Sequence, residues 1–340
     1  MTGRSSRPQA ARRTAGAPLV PISFSVEPRP PFRLDLTAWA LRRRPANVVD
    51  RWDGSTYRRA MKVAGTVAEV EVRQIDPPQA PSLAVSVVTD APVDPGVAQG
   101  EITATLDRLL GLDVDLEDFY RRAADDPQLG PLASRFRGLK PPRFPTMIEC
   151  LANAVACQQL TLTVGIVLLN RLTETHGLSV PGPRGTTRHA FPEAGDLALA
   201  TPAGLRELGF STRKASALVE LARGVDKGEL DLESLYRADD DTASAALQRI
   251  GGVGRWSAEY ALLRGLGRLE VFPGDDVGAR NNLVRRLGLG SPLDYSGVRQ
   301  AVSSWAPYAG LANFHLLVER IDDAGWLDGA TAPAARGADA

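Results

Sequence analysis

The hydrophobic pattern of this 340-residue chain changes its period once, and that change limits the folds open to it. Between Ile22 and Thr89 apolar and polar residues alternate, as where Val70 and Val72 stand between charged side chains. From about Gly96 onward the apolar residues recur at spacings of three and four. Alternation is typical of half-buried strands, whereas the second spacing gives a helix one apolar face. The pattern therefore predicts a small antiparallel sheet followed by a long helical region.

The two patterns divide the chain into units, and the fold class that we expect is α+β. We expect a disordered tail over 1–20, an antiparallel sheet-and-helix domain over 21–112, a helical core in two groups over 113–327, and a disordered tail over 328–340. The sheet domain should contain one helix, Asp35–Arg43, with Asp35 as its N-cap. Helices predicted for the core include Thr146–Cys157, Leu162–Thr175, Thr242–Ile250, Trp256–Leu266 and Val277–Leu287.

The composition excludes several classes of protein. No apolar run reaches the roughly 18 residues that a membrane-spanning helix needs, so we expect a soluble, cytoplasmic protein without a membrane partner. Two cysteines are too few for a four-cysteine iron–sulfur site or a disulfide framework, and we expect Cys150 and Cys157 to be buried. Basic and acidic residues number 40 each, so the net charge does not indicate a nucleic-acid partner. A local excess of arginine within 251–290 is the remaining source of a basic surface.

The sharpest local motif is Gly252-Val253-Gly254, where two helical patterns meet. Glycines permit a tight hairpin and a close approach of backbone N–H groups to a ligand. The second helix begins at the same point, and unpaired N–H groups at a helix N-terminus favour phosphate. We interpret the motif as a grip on the DNA backbone that ignores base sequence. An ordinary glycine turn between helices fits a bare Gly-x-Gly about equally well.

The segment that follows the hairpin carries a family resemblance. Val271-Phe272-Pro273-Gly274-Asp275-Asp276, read together with the hairpin, resembles the helix-hairpin-helix DNA glycosylase superfamily. The chain is most similar to its bacterial 3-methyladenine DNA glycosylase II (AlkA) type. That likeness extends to 31–39 and 57–59 in the sheet domain, to 157–161, and to 205–215, and covers about residues 22–327. It implies an N-terminal sheet domain, a catalytic aspartate, and duplex DNA with damaged bases as the partner of a monomeric enzyme.

Asp276 is the residue that the resemblance marks as catalytic. Breaking a bond between a base and deoxyribose builds positive charge on the sugar, which an adjacent carboxylate stabilises. A carboxylate can also orient or deprotonate the attacking water. The alternative is that Asp275 and Asp276 only cap the next helix, since aspartate is a preferred N-cap. We expect Asp275 to act as a cap or as an orienting neighbour.

Trp256 decides the subclass. Strand-cutting members of the superfamily carry a lysine at this position, whose amine attacks the sugar and forms a Schiff base. An indole cannot do this, and the chain has no lysine beyond Lys227. The sequence therefore predicts a monofunctional enzyme in which water is the nucleophile.

The resemblance also assigns binding roles. Trp256, Tyr260 and Tyr308 should line the base pocket, where aromatic rings attract cationic bases. Without the resemblance, Trp256 and Tyr260, which are four residues apart on a helix, would more often be core residues. Gln159, or else Gln158, should fill the gap that the flipped base leaves; a helix cap or surface pair is the alternative. No metal site or organic cofactor is expected, although the resemblance implies a monovalent cation at the hairpin carbonyls.

The function expected from these residues is excision of alkylated purines, 3-methyladenine and 7-methylguanine, during base-excision repair. Two alternatives stay open at this point. One is a glycosylase for deaminated or oxidised bases, because selectivity depends on the shape of the pocket. The other is a non-catalytic protein that binds DNA lesions, against which the presence of Asp276 argues.

Overall fold

The computed structural model describes residues 21–182 and 186–327, so both tails expected to be disordered lie outside the described residues. Its main sheet has five antiparallel strands in the order β1-β5-β4-β3-β2. The strands are β1 (Ile22–Val26), β2 (Arg51–Trp52), β3 (Thr56–Val63), β4 (Thr66–Gln74) and β5 (Leu83–Thr89). The alternating pattern explains the sheet, because one apolar face packs on helices while the other carries polar side chains.

Two helices cover this sheet, α1 (Leu34–Arg42) and α2 (Pro95–Leu110). Helix α1 is buried on two sides. Its Leu34 and Leu41 pack with the sheet and α2, whereas Leu36 and Ala40 join the core of the helical region. The predicted N-cap is wrong: α1 begins at Leu34, and Asp35 lies inside its first turn, where Arg33 pairs with it. This double burial anchors the sheet domain to the helices.

The helical region forms two groups. The first group packs α3 (Glu117–Ala123), α4 (Leu129–Arg135), α12 (Val277–Arg286), α13 (Tyr295–Ala301) and α14 (Ala309–Asp323) around one core. The second group contains α5 (Met147–Cys157), α6 (Leu162–His176), α7 (Ala194–Ala198), α8 (Pro202–Glu207), α9 (Thr212–Asp226), α10 (Asp240–Gln248) and α11 (Arg255–Ala261). A short hairpin, β6 (Ser179–Pro181) and β7 (Thr187–His189), follows α6. The chain thus leaves the first group after α4 and returns to it at α12.

One predicted helix of the second group differs in the structure. The segment expected as a single helix over 256–266 is α-helical only to Ala261 and continues as a π-helical turn, Leu262–Leu266. The wider turn places Arg264 in the core, where its Nη2 donates to the Ala40 carbonyl at 3.0 Å. Within the two described ranges, no helix is long and apolar enough to cross a membrane.

Candidate active site

The glycine hairpin joins α10 to α11. Gly252 has a positive φ of 85°, and a Cβ there would lie 2.7 Å from the Cβ of Ala217 on α9, so only glycine fits. Val253 is buried in the core of the second group, while Gly254 caps α11 in extended conformation with open space where a Cβ would be. The hairpin therefore anchors itself by Val253 and presents Gly254 and the first N–H groups of α11 outward, as a phosphate grip requires.

The end of α5 is tied to this hairpin by Gln158. Its Nε2 donates to the carbonyl of Gly252 and to the hydroxyl of Ser257, both at 2.8 Å. The Nζ of Lys214, on α9, donates to the carbonyls of Ala156 at 3.0 Å and of Gln158 at 2.6 Å. The side chain of Gln158 is thus occupied within the protein, and the loop after α5 is held against the hairpin.

Gln159, the next residue, is presented differently. It is exposed, and its φ of 54° is one that a residue with a side chain rarely adopts. Leu160 beside it is 43% exposed. Of the two glutamines expected as the wedge, Gln159 is therefore the one whose side chain faces solvent.

Asp276 is held from both sides. It is the N-cap of α12, where its Oδ1 accepts from the backbone N–H of Ala279 at 2.8 Å, and its Oδ2 accepts from the indole Nε1 of Trp256 at 2.9 Å. Trp256 belongs to the second helical group and α12 to the first, so this bond spans their junction. The two bonds fix the direction of the carboxylate, and the N-terminus of α12 favours its negative charge.

Asp275 is neutralised by a different partner. Its Oδ2 accepts from Nε of Arg255 at 2.6 Å, and the guanidinium carbon of Arg255 lies 4.0 Å from the ring centre of Tyr295. Among the described residues, no ion pair involves Asp276. Of the two adjacent acids, Asp276 therefore keeps an uncompensated charge, as electrostatic stabilisation of a cationic sugar requires.

Two of the three expected pocket aromatics lie together. The rings of Trp256 and Tyr260 are 5.6 Å apart, and Phe144 follows at 6.1 Å from Tyr260. Tyr260 is largely buried, and its hydroxyl oxygen accepts from Nη1 of Arg43 at 3.0 Å. Burial raises the pKa of Tyr260 to about 12, so the phenol stays protonated. Its own proton remains available as a hydrogen-bond donor.

Tyr308 lies in another environment. It packs edge-on against Phe119 at 5.6 Å, and its hydroxyl donates to Oδ2 of Asp118 at 3.0 Å, within the first helical group. No ring contact within the described part of the chain joins Tyr308 to Trp256 or Tyr260. The structure thus joins Trp256 to both Tyr260 and Asp276, whereas Tyr308 contacts Phe119 and Asp118 in the first helical group.

Sequence reasoning missed three residues of this site. Arg43 follows α1 and has a φ of 61°. Its guanidinium donates to the hydroxyl of Tyr260 and, from Nη2 at 2.7 Å, to Oδ1 of Asn153. Lys214 holds the loop after α5 through the carbonyl of Gln158, and Arg255 holds the loop before α12 through Asp275. Only Arg255, directly after the hairpin and before Trp256, had a local signal that marked it as part of the site.

Comparison with protein families finds a match for each of the two parts of the chain. Residues 152–307 match the model of HhH-GPD superfamily base excision DNA repair proteins, and residues 23–145 match the AlkA N-terminal domain. This chain belongs to the HhH-GPD superfamily. The family and the α+β fold class predicted from the sequence are thereby confirmed.

Several members of the superfamily are similar over much of the chain. A DNA-3-methyladenine glycosylase of Bacillus subtilis (strain 168) is 29% identical over 216 residues, which is 64% of this chain and 71% of that protein. A putative DNA-3-methyladenine glycosylase of the same strain is 26% identical, covering 84% of this chain and 95% of that protein. The solved 3-methyladenine DNA-glycosylase from Archaeoglobus fulgidus matches with a TM-score of 0.73 at 26% identity, covering 87% and 97% of the two chains.

Proposed function

We propose that the protein is a monofunctional DNA glycosylase that removes alkylated purines, 3-methyladenine and 7-methylguanine, from duplex DNA in base-excision repair. The observation that carries the proposal is the Asp276 carboxylate, held by Trp256 and by the N-terminus of α12 while Arg255 neutralises its neighbour. The relatives named as 3-methyladenine glycosylases support the class of substrate.

The chemistry follows from the position of this carboxylate. As the bond from base to C1′ lengthens, positive charge develops on the sugar, and ionised Asp276 stabilises it. Water then forms the new bond to C1′ and gives up a proton, for which Asp276 is the acceptor. The bond electrons leave with the base. Alkylation that makes the base cationic improves it as a leaving group, so the enzyme needs no strong acid in the pocket.

Binding of the base falls to the aromatic pair. The rings of Trp256 and Tyr260 offer a surface on which a flipped base stacks, and cation–π attraction favours a base that carries positive charge. Gln159, exposed at the end of α5, occupies the vacated space in the duplex. Gln158 fixes the loop that carries Gln159 relative to the hairpin and to α11, the helix of Trp256 and Tyr260, by its bonds to Gly252 and Ser257.

The hairpin supplies affinity without reading sequence. The N–H groups at the start of α11 meet a phosphate near Gly254. The monovalent cation that the family resemblance implies fits here. The carbonyls of Ile250 and Gly252 each accept one hydrogen bond, from the backbone N–H of Val253 and from Gln158, and keep a second lone pair. When bound, such a cation would be held by the carbonyls of Ile250 and Gly252 and would supply positive charge that favours a phosphate.

The experiment that tests the function is base release from duplexes that each carry one lesion. The panel holds 3-methyladenine, 7-methylguanine, hypoxanthine, uracil and 8-oxoguanine, and the products are free base and an intact abasic strand. We expect release of the two alkylated purines to be fastest. Release of only deaminated or oxidised bases would replace the proposed substrate class, and tight lesion binding with no release would make the protein a non-catalytic binder.

A further inference from the structure

A buried carboxylate, Glu259, lies three residues after Trp256 on α11 and is only 7% exposed. Its Oε2 accepts from the backbone N–H of Gly274 at 3.0 Å, and its Oε1 accepts from the hydroxyl of Tyr295 at 2.6 Å. Burial raises the pKa of Glu259, which these two hydrogen bonds oppose. Burying a carboxylate lowers stability unless hydrogen bonds compensate the lost hydration. A role for Glu259 in holding its two partners would explain why a carboxylate lies in this core.

The loop that Glu259 contacts carries Asp276. The N–H of Asp276 donates to the carbonyl of Pro273 at 3.0 Å, which closes a four-residue turn with Gly274 as its second member. Residues three apart on a helix share a face. Helix α11 therefore contacts the turn at two places. Glu259 accepts from Gly274 near the beginning of the turn, and Trp256 donates to the carboxylate of Asp276, the last residue of the turn.

Tyr295, the first residue of α13, completes the anchor. A Cβ at Gly274 would lie 2.8 Å from two carbons of the Tyr295 ring, so the ring packs directly on the loop backbone. Arg255 lies over the same ring and pairs with Asp275. The turn is thus enclosed by α11 and α13.

We propose that Glu259 and Tyr295 are positioning residues for Asp276, an inference that rests on the proposed catalytic role of that aspartate. Neither residue need touch DNA. They hold the turn so that the carboxylate keeps its bond to Trp256 and its direction toward the sugar. A misplacement of about 1 Å is enough to cost on the order of a hundredfold in rate.

The test compares four variants by single-turnover base release and by affinity for a duplex with a stable abasic-site analogue. Glu259→Ala should slow release at least ~10-fold while affinity changes by less than about threefold, because the loop moves but the hairpin does not. Glu259→Gln should stay within about threefold of wild type, since its carbonyl can accept from Gly274 and its amide can donate to the Tyr295 oxygen. Tyr295→Phe removes one bond, keeps the ring, and should give a smaller loss than Glu259→Ala.

The matched control is Glu69→Ala, which deletes another buried carboxylate, paired with Arg51 at 2.7 Å in the sheet. It should lower the thermal midpoint and leave the release rate unchanged. A Glu259→Gln variant as slow as Glu259→Ala would overturn the positioning role in favour of an effect of charge. A rate loss in Glu259→Ala that is matched by an equal loss of affinity would overturn it as well.

A double-mutant cycle shows whether Glu259 acts through Asp276. In an Asp276→Asn background, Glu259→Ala should slow the residual release by less than about twofold, because the group being positioned is already absent. Fully additive losses would refute the inference. Failure of the proposed function itself would look different, since the wild-type protein would then release no base from any duplex.

Discussion

Replacing Asp276 by asparagine is the most direct test of the candidate site. The two side chains have the same shape, and asparagine caps a helix about as well as aspartate, so the bond from Ala279 N–H survives. The change removes the negative charge that we propose stabilises the cationic sugar. Losing one preorganised electrostatic stabiliser costs about 10²–10³ in rate, or roughly 2.7–4 kcal/mol in transition-state free energy.

The hydrogen bonds of Asp276 also determine how far Asp276→Asn lowers the free energy of unfolding. With its oxygen kept on the Ala279 N–H, asparagine places its amide nitrogen, which is a donor, opposite the donor Nε1 of Trp256, so the bond from Trp256 is lost. A typical bond of this kind contributes about 1 kcal/mol, which is small beside the expected loss in catalysis. We therefore expect Asp276→Asn to fold, to bind lesion-bearing DNA with unchanged affinity, and to release base at least ~100-fold more slowly.

The assay is single-turnover base release, with fluorescence anisotropy for DNA affinity and chemical unfolding for stability. Asp275→Asn is the matched control, because it removes the neighbouring charge, which Arg255 already neutralises. We expect this control to retain most activity. Near wild-type release by Asp276→Asn, or a larger loss in Asp275→Asn, would refute the assignment of Asp276 as the catalytic carboxylate.

Three further predictions concern the hairpin, the nucleophile and the pH dependence of stability. Gly254→Val should weaken binding of damaged and undamaged duplexes by the same factor. The added Cβ meets no protein atom within 4 Å, but it fills the space that we expect a phosphate to approach. A loss confined to damaged DNA would place the hairpin in the base pocket. Borohydride should trap no covalent protein–DNA adduct in good yield, and Lys214→Met identifies the amine if one forms, since Lys214 is the lysine that folding brings beside Gln158. Burial lowers the pKa of His315 to about 4 from its ordinary 6.5, so between these values the unfolded chain binds the proton that the folded protein does not. The free energy of unfolding should thus fall by roughly 3 kcal/mol as the pH drops through this window, and urea titrations should show that His315→Leu abolishes this part of the dependence.

The sequence predicted those parts of the fold that depend on residues close together in the chain. The change of period gave the sheet and the helices, because side chains alternate along a strand and recur every third or fourth residue along a helix. The helices predicted at 146–157 and 277–287 begin and end within one residue of α5 and α12. The hairpin glycines could also be predicted from the local sequence, because the turn between the two helices requires a positive φ at Gly252.

Sequence reasoning was weaker wherever a side chain chooses among distant partners. The segments 271–276 and 157–161 each offered a pair of candidates, and only the family resemblance favoured Asp276 and Gln159 within those pairs. Arg255 pairs with Asp275 rather than Asp276, and Gln158 turns inward to Gly252, 94 residues away. Each choice depends on how α5, α11 and the loop before α12 pack, which no local propensity encodes.

The sequence by itself determined the architecture and the family, and it named most of the residues that we propose for the site. The tertiary structure decided which of them meet. It joined Trp256 to Asp276 across the two helical groups, brought Arg43 from the sheet domain to Tyr260, and held Tyr308 on Asp118 instead. The physical reason is that backbone preferences act within a turn or two, whereas hydrogen bonds between side chains depend on packing that the whole chain must complete first.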